Sequence, residues 1–319
     1  MGVENDARAP AGRCKKIEPR LGDGMATARE SKPLQRTLEK LAYGGFVVGR
    51  RGDVDELAGQ RDGIDHRARD SIYNAGVDVV IAGLGLIGGS LGKALRGRGW
   101  RVSFVDPHVT LAAAEAAGAA DEKRDRLEGD LIVLATPSDV TLNLLGELRG
   151  TNGIVTSVSG VMTPLREAAT DINFVAGHPF AGSELRGLEA ANASLFESRP
   201  WFVDRHLDDT MTLIAAAGAE PVVVDAAEHD RIMALTSHLP QVVATALASL
   251  LDGVDSRFIG TGAKSMLRLA GSSYGVWEPI LDQNNENISA AAEQLWNTMR
   301  TISAEDFERA HRLYGREIK

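Results

Sequence analysis

Cysteine is nearly absent: Cys14 is the single one in 319 residues. One thiol excludes an intrachain disulfide framework and fits a reducing cytoplasm. An excess of positive charge is also missing. The chain carries 35 basic against 44 acidic residues, a net charge of -9, which argues against a nucleic-acid surface. No apolar run approaches the ~20 residues of a membrane span, and the N-terminus lacks the apolar core of a secretory signal. A soluble cytoplasmic protein is therefore expected, with neither nucleic acid nor membrane as a partner. What is present is ordinary for a globular protein, 44% hydrophobic and 25% charged residues, in a length that suits two domains.

Residues 1–75 read as a largely flexible N-terminal extension, rich in Arg, Asp, Glu and Gly. Leu34, Leu38 and Leu41 have helical spacing and predict one short amphipathic helix there. Ordered structure is expected from Val77. Strand signals at Val77–Ala82, Arg101–Val105, Leu131–Ala135, Gly153–Ser157, Asn173–Ala176, Trp201–Val203 and Pro221–Val224 alternate with helical stretches. That alternation predicts an α/β Rossmann-type, doubly wound and mostly parallel sheet over residues 76–225. From Ala226 the strand signals vanish. Ala226–Leu251, with Pro240 as a kink, Ser256–Leu269, Val276–Arg300 and Ala304–Tyr314 predict an all-α domain over 226–319. Its apolar faces suit pairing with a second copy into a homodimer.

Gly83-Leu84-Gly85-Leu86-Ile87-Gly88 follows an apolar strand and opens a helix, the context a dinucleotide loop requires. Gly83 serves the tight turn, Gly85 the approach of a pyrophosphate, and Gly88 close helix–strand packing. The amides of Leu86 and Ile87 open a helix whose dipole favours phosphate. Asp106 ends the next strand where a ribose-binding carboxylate is expected, and no basic cluster follows it, so NAD is preferred over NADP. Thr136, Pro137 and Ser138 end another strand and suit the nicotinamide crevice, although Ser138 as an N-cap explains the same turn. No metal is expected. In Gly177-His178-Pro179-Phe180-Ala181-Gly182-Ser183-Glu184 one imidazole stands between glycines and beside a rigid proline. His178 there reads as a general base or as a loop histidine bonded to backbone.

The glycine loop 83–90, the segment 177–184, His229-Asp230, Ser237-His238-Leu239-Pro240 and Trp277 stand together in one order. In this the chain resembles the prephenate/arogenate dehydrogenase family of tyrosine biosynthesis, over about residues 77 to 300. The resemblance implies that a cyclohexadiene ring gives a hydride to NAD, loses its ring carboxylate as carbon dioxide and becomes aromatic. It implies His178 as the base for the 4-hydroxyl and Arg268 as the holder of a substrate carboxylate, unless Arg268 is only a helix-surface residue. Ser183 is a candidate substrate or nicotinamide contact, with a loop cap as the alternative. His238 lines the pocket with Trp277, although a buried structural hydrogen bond explains it better than chemistry.

Three positions depart from the pattern. Gln241 replaces a histidine, Ser159-Gly160-Val161-Met162 stands for Gly-Ser-Val-Lys, and Gly271-Ser272-Ser273-Tyr274 replaces an acidic residue before proline. All fall near the expected substrate, so the resemblance leaves open prephenate, arogenate or the 4-amino-4-deoxyprephenate of a secondary-metabolic branch. Two other readings stand beside these. One is a β-hydroxyacid-type dehydrogenase using Lys264 in Gly260-Thr261-Gly262-Ala263-Lys264, and the other is a non-catalytic NAD-binding protein.

Overall fold

Short apolar runs, most of them followed by a helix, build a parallel sheet with a two-residue polar strand at one edge. In the computed structural model, which describes residues 77–182 and 185–317, the first run is β1 (Val79–Ala82) and leads into α1 (Leu86–Arg96). Then follow β2 (Val102–Val105), α2 (Leu111–Ala116), β3 (Glu122–Lys123), β4 (Leu131–Leu134) and α3 (Ser138–Glu147). β5 (Ile154–Ser157), α4 (Thr163–Ala168) and β6 (Asn173–Val175) complete the sheet. Its order is β3-β2-β1-β4-β5-β6, all parallel. The helix expected around Leu34–Leu41 lies outside the described residues.

β1 and β4 are buried at every position, as strands covered by helices on both faces must be. Val79, Ile81, Leu131 and Val133 pack toward Leu91 and Leu95 of α1. Their alternates Ile132 and Leu134 join Leu145 of α3 and Leu165 of α4 on the other face. The strand order reverses between β1 and β4, so a crevice opens at their carboxyl ends, where such sheets bind ligands.

Beyond β6 the expectation of one continuing sheet fails. β7 (Gly177–Pro179), β8 (Pro200–Val203) and β9 (Glu220–Val223) form a separate sheet, with β7 antiparallel to β8. The reason is connection length. A parallel neighbour needs a crossover of about a dozen residues, and Ala176 alone separates β6 from β7. The chain therefore turns out of the sheet, where Ala176 donates its N–H to Asp204 at 2.9 Å. β8 and β9 do have room for a crossover, α5 (Asp208–Ala216), and they pair parallel.

The helices begin with α6 (Ala226–Met233), which passes through a π-helical turn, Ala234–His238, into α7 (Leu239–Leu250). The expected single helix is thus continuous. Its irregular turn lies just before Pro240, whose ring and missing N–H disturb the regular ladder. Contrary to expectation, Ala226–Leu250 is long and apolar enough, by length and composition, to cross a membrane. It nevertheless carries His229, Asp230 and His238 buried within protein. The expected helix Ser256–Leu269 resolves into a 3-10 turn (Ser256–Phe258), α8 (Thr261–Leu267) and a second 3-10 turn (Arg268–Gly271). The expected Val276–Arg300 is two helices, α9 (Tyr274–Gln283) and α10 (Asn285–Arg300), broken at Asn284. Asn284 is buried with its amide bonded inward, and its φ of -115° and ψ of 20° leave the helical region. α11 (Ala304–Glu317) ends the described chain.

Candidate active site

The loop after β1 meets the loop after β4 at the crevice. Gly83 has φ +87°, and a Cβ there would lie 2.7 Å from the Ala135 carbonyl oxygen. A Cβ on Gly88 would lie 2.0 Å from the Gly83 carbonyl oxygen, so α1 approaches its own loop as only glycine allows. At Gly85 an added Cβ would meet nothing within 4 Å. That glycine faces open space, as a backbone cradle for pyrophosphate should. Helix α1, opened by Leu86 and Ile87, has no side-chain cap and no acidic residue in its first turn. Its amides and positive dipole end are left for an anion.

Asp106 accepts the N–H of Leu84 on Oδ2 at 2.8 Å, and those of His108 and Val109 on Oδ1 at 2.7 and 3.1 Å. It staples the glycine loop to the β2 turn and keeps a lone pair on Oδ2 for a ribose hydroxyl. Thr136 bonds Thr141 through their hydroxyls at 2.9 Å. The N-cap of α3 is Pro137 rather than Ser138. The Ser138 hydroxyl is buried without a partner, an orphan that a polar ligand in the crevice would satisfy. A capless helix, an open glycine and an orphaned hydroxyl fit a dinucleotide.

The segment after β5, Val158–Gly160, leaves the same carboxyl edge of the sheet. His178 lies on β7 against it. A Cβ on Gly160 would stand 3.9 Å from His178 Nε2 and 3.7 Å from Ile280 Cδ1 of α9. Gly177 holds β7 close to β5: its N–H donates to Ser157 Oγ at 3.2 Å, and a Cβ would come within 2.5 Å of the Ser157 carbonyl oxygen.

The other ring nitrogen of His178 begins a relay. Nδ1 lies 2.9 Å from His229 Nε2, and His229 Nδ1 lies 2.8 Å from Asp230 Oδ1. Asp230 also accepts the N–H groups of Met162 and Thr163, each at 2.8 Å. Burial opposes its ionisation, but the bonds from His229 and from the Thr163 and Met162 backbone outweigh it and hold the carboxyl below its usual range. A carboxylate only accepts. His229 therefore carries its proton on Nδ1 and accepts at Nε2 the Nδ1–H of His178, which leaves the His178 Nε2 lone pair facing Gly160. Burial pushes His178 down to about 3, His229 and His238 add to this, and Asp230 opposes it. The imidazole is thus neutral at pH 7, the form a base needs. Phe180 and Phe202 wall it, with ring centroids 6.0 and 6.4 Å away.

His238 is buried at the end of the π turn, its ring edge-on to half-buried Trp277 with centroids 6.0 Å apart. Gln241 is buried in the first turn of α7; its Nε2 donates to Thr245 Oγ1 at 3.2 Å and its Oε1 has no partner. Ser159 is buried and accepts the Val161 N–H at 3.4 Å, so its hydroxyl turns back on its own loop. Arg268 is exposed, and its guanidinium makes no hydrogen bond or ion pair among the described residues. Lys264 is exposed on α8. Ser183 lies outside the described residues.

Sequence reasoning passed over His229 as the link to His178. Its signal was present in the adjacent His229-Asp230 pair. Asn284, which bonds His238, gave none, since it stands in a polar run with Gln283, Asn285 and Asn287.

The family model "Prephenate dehydrogenase, nucleotide-binding domain" matches residues 91–215, and "Prephenate dehydrogenase, dimerization domain" matches residues 225–312. A Streptomyces niveus protein described as "Probable prephenate dehydrogenase NovF" is 33% identical over 242 residues, covering 70% of this chain and 67% of the relative. The chain belongs to the prephenate dehydrogenase family. Prephenate dehydrogenase of Bacillus subtilis is 30% identical over 241 residues, covering 66% of this chain and 65% of that one. The chain thus spans about two thirds of the length of these two curated relatives. The fold matches that of Aquifex aeolicus prephenate dehydrogenase in complex with hydroxyphenyl propionate and NAD+, with a TM-score of 0.64, 24% identity, and coverage of 74% of this chain and 92% of that one. As a member of the prephenate dehydrogenase family, the protein has a Rossmann-type nucleotide-binding domain followed by a helical one.

Proposed function

We propose that the protein oxidatively decarboxylates prephenate or arogenate with aromatisation of the ring, as in tyrosine biosynthesis. The observation that carries this reading is the His178–His229–Asp230 relay, set over the same sheet edge as the glycine loop. Gly83–Gly88 and Asp106 would hold NAD, which would supply the acceptor for the hydride at ring C4. His178 Nε2 takes the proton of the 4-hydroxyl as that oxygen becomes carbonyl-like. The C1 carboxylate leaves as carbon dioxide, its bonding pair enters the ring and displaces the C4 carbonyl pair onto oxygen, and that oxygen takes the proton back from His178 to give the phenol. As His178 gains charge, His229 and ionised Asp230 hold its tautomer and stabilise the imidazolium. A positioned base of this kind contributes typically ~10²–10⁴-fold.

Arg268 and Trp277 are proposed substrate contacts. The exposed Arg268 guanidinium has no partner among the described residues and suits a carboxylate. Leu250, Phe258, Trp296 and Phe307 are exposed on the C-terminal helices, and a homodimer through this face, in the cytoplasm, accounts for them.

A second reading has its own observation. Position 160, where a Cβ would stand 3.9 Å from His178 Nε2, carries no hydroxyl, and the buried Gln241 Oε1 lacks a donor. An amine at ring C4, as in 4-amino-4-deoxyprephenate, brings an additional N–H donor. Steady-state assays with prephenate, arogenate and the amino analogue test both readings. A kcat/KM for prephenate at least equal to that for the analogue sinks the second, and turnover of none of the three sinks both.

A further inference from the structure

Asn284 stands at the junction of α9 and α10, where an asparagine ordinarily caps the helix that follows. Here it makes no such cap. Its side chain is buried and turned inward, with Nδ2 bonded to the Asp230 carbonyl oxygen at 2.8 Å and to His238 Nδ1 at 3.0 Å. Its Oδ1 accepts from Asn287 Nδ2 at 2.8 Å.

These contacts leave little freedom in where the protons lie. A carbonyl oxygen only accepts, so the Asn284 atom facing Asp230 is the amide nitrogen. The second hydrogen of that nitrogen points at His238 Nδ1, which must then present a lone pair. We infer that Asn284 is a positioning residue that fixes His238 as the Nε2–H tautomer, so the site offers a ligand one imidazole acceptor, His178, and one neutral imidazole donor, His238. Burial pushes His238 down to about 4, against the attraction of Asp230 and with repulsion from His229, which keeps the donor uncharged at pH 7. Asp230 is the common origin of both settings. Its carboxylate orients the acceptor through His229, and its backbone carbonyl orients the donor through Asn284. The ligand atom served by His238 is an acceptor oxygen, a carboxylate or carbonyl of the ring acid. That last step rests on the proposed function, whereas the tautomer does not.

The test begins with long-range ¹⁵N–¹H correlation spectra of the full chain labelled at histidine, assigned with His178→Asn and His238→Gln. At pH 7 both rings are expected to be neutral, with the proton of His238 on Nε2 and that of His178 on Nδ1. A His238 proton on Nδ1, or an imidazolium, overturns the inference. Asn284→Asp replaces the donor by an acceptor and is expected to move the His238 proton to Nδ1. With it, kcat/KM for the ring acid should fall at least about tenfold with NAD affinity unchanged. An unchanged kcat/KM after the proton has moved overturns the donor role. Glutamine places an amide donor near the Nε2 position and asparagine near Nδ1, so His238→Gln should retain more activity than His238→Asn, and the reverse order also overturns that role. If Asn284→Asp does not fold, the wild-type spectra and the His238 pair still decide. If wild type turns over no ring acid, the proposed function fails while the spectra still decide the tautomer.

Discussion

The nucleotide crevice and the imidazole cluster share one edge of the sheet but are made of different material. The crevice is built from backbone: three glycines, a capless helix end and the amides around Asp106. The cluster is built from side chains brought together from β7, α6, the π turn and the α9–α10 junction. A backbone site tolerates any side chain that leaves its path free. A side-chain network depends on each proton lying on one particular nitrogen. The difference predicts that substitutions should separate into those that cost cofactor binding and those that cost only turnover.

The largest expected effect is on turnover. His178→Asn should lower kcat by about 10² or more while NAD affinity, followed by fluorescence titration, stays the same. A parallel loss of NAD binding would erase the separation. Next comes His229→Leu, which leaves a buried His178 donor unpaired. It should lower kcat by roughly 10–100-fold, again without changing NAD affinity.

The glycines sharpen the comparison from the other side. Gly88→Ala forces a Cβ to 2.0 Å from the Gly83 carbonyl oxygen and should destabilise the fold by about 1–3 kcal/mol, seen as a fall in Tm. Gly85→Ala meets nothing within 4 Å, so it should leave Tm nearly unchanged and weaken NAD alone.

Acid provides a milder probe of the cluster. His178 and His238 are held at about 3 and about 4, below the ordinary 6.5. Between those values the unfolded chain binds more protons than the folded one, so stability is fully present above pH 6.5 and falls as pH drops toward 4. The slope is at most about 1.4 kcal/mol per pH unit for each histidine. Tm measured from pH 7 to pH 5 should fall, and less steeply in His178→Asn. The smallest effect is expected from Gly160→Ser. Its Cβ fits at ordinary contact distances, and a shift of preference between hydroxyl and amino substrates would show that this empty position sets specificity.

The same contrast explains what the sequence disclosed. Gly83, Gly85, Gly88 and Asp106 were legible because a turn, a cradle and a strand end are local features with fixed spacing. β1, β2, β4, β5 and β6 were legible as apolar runs, whereas the edge strand β3, Glu122–Lys123, carries no apolar residue and gave no signal. The turn of β7 out of the sheet depended on counting the connection after β6, which periodicity ignores. His178 was visible as an imidazole between glycines, but its partner His229 lies in another element and is joined to it only by the fold. Asn284 was invisible because nothing distinguishes it from the neighbouring asparagines until His238 is placed beside it. The break of the last long helix pair at Asn284 was missed for the same reason.

Asp230 joins the N-terminus of α4, through Met162 and Thr163, to α6 through its own backbone. Removing such a buried charge from its partners costs about 3–5 kcal/mol. The junction between the nucleotide-binding half and the first of the helices is therefore a weld rather than a hinge. Movement that admits substrate and releases product is therefore expected elsewhere than at this junction.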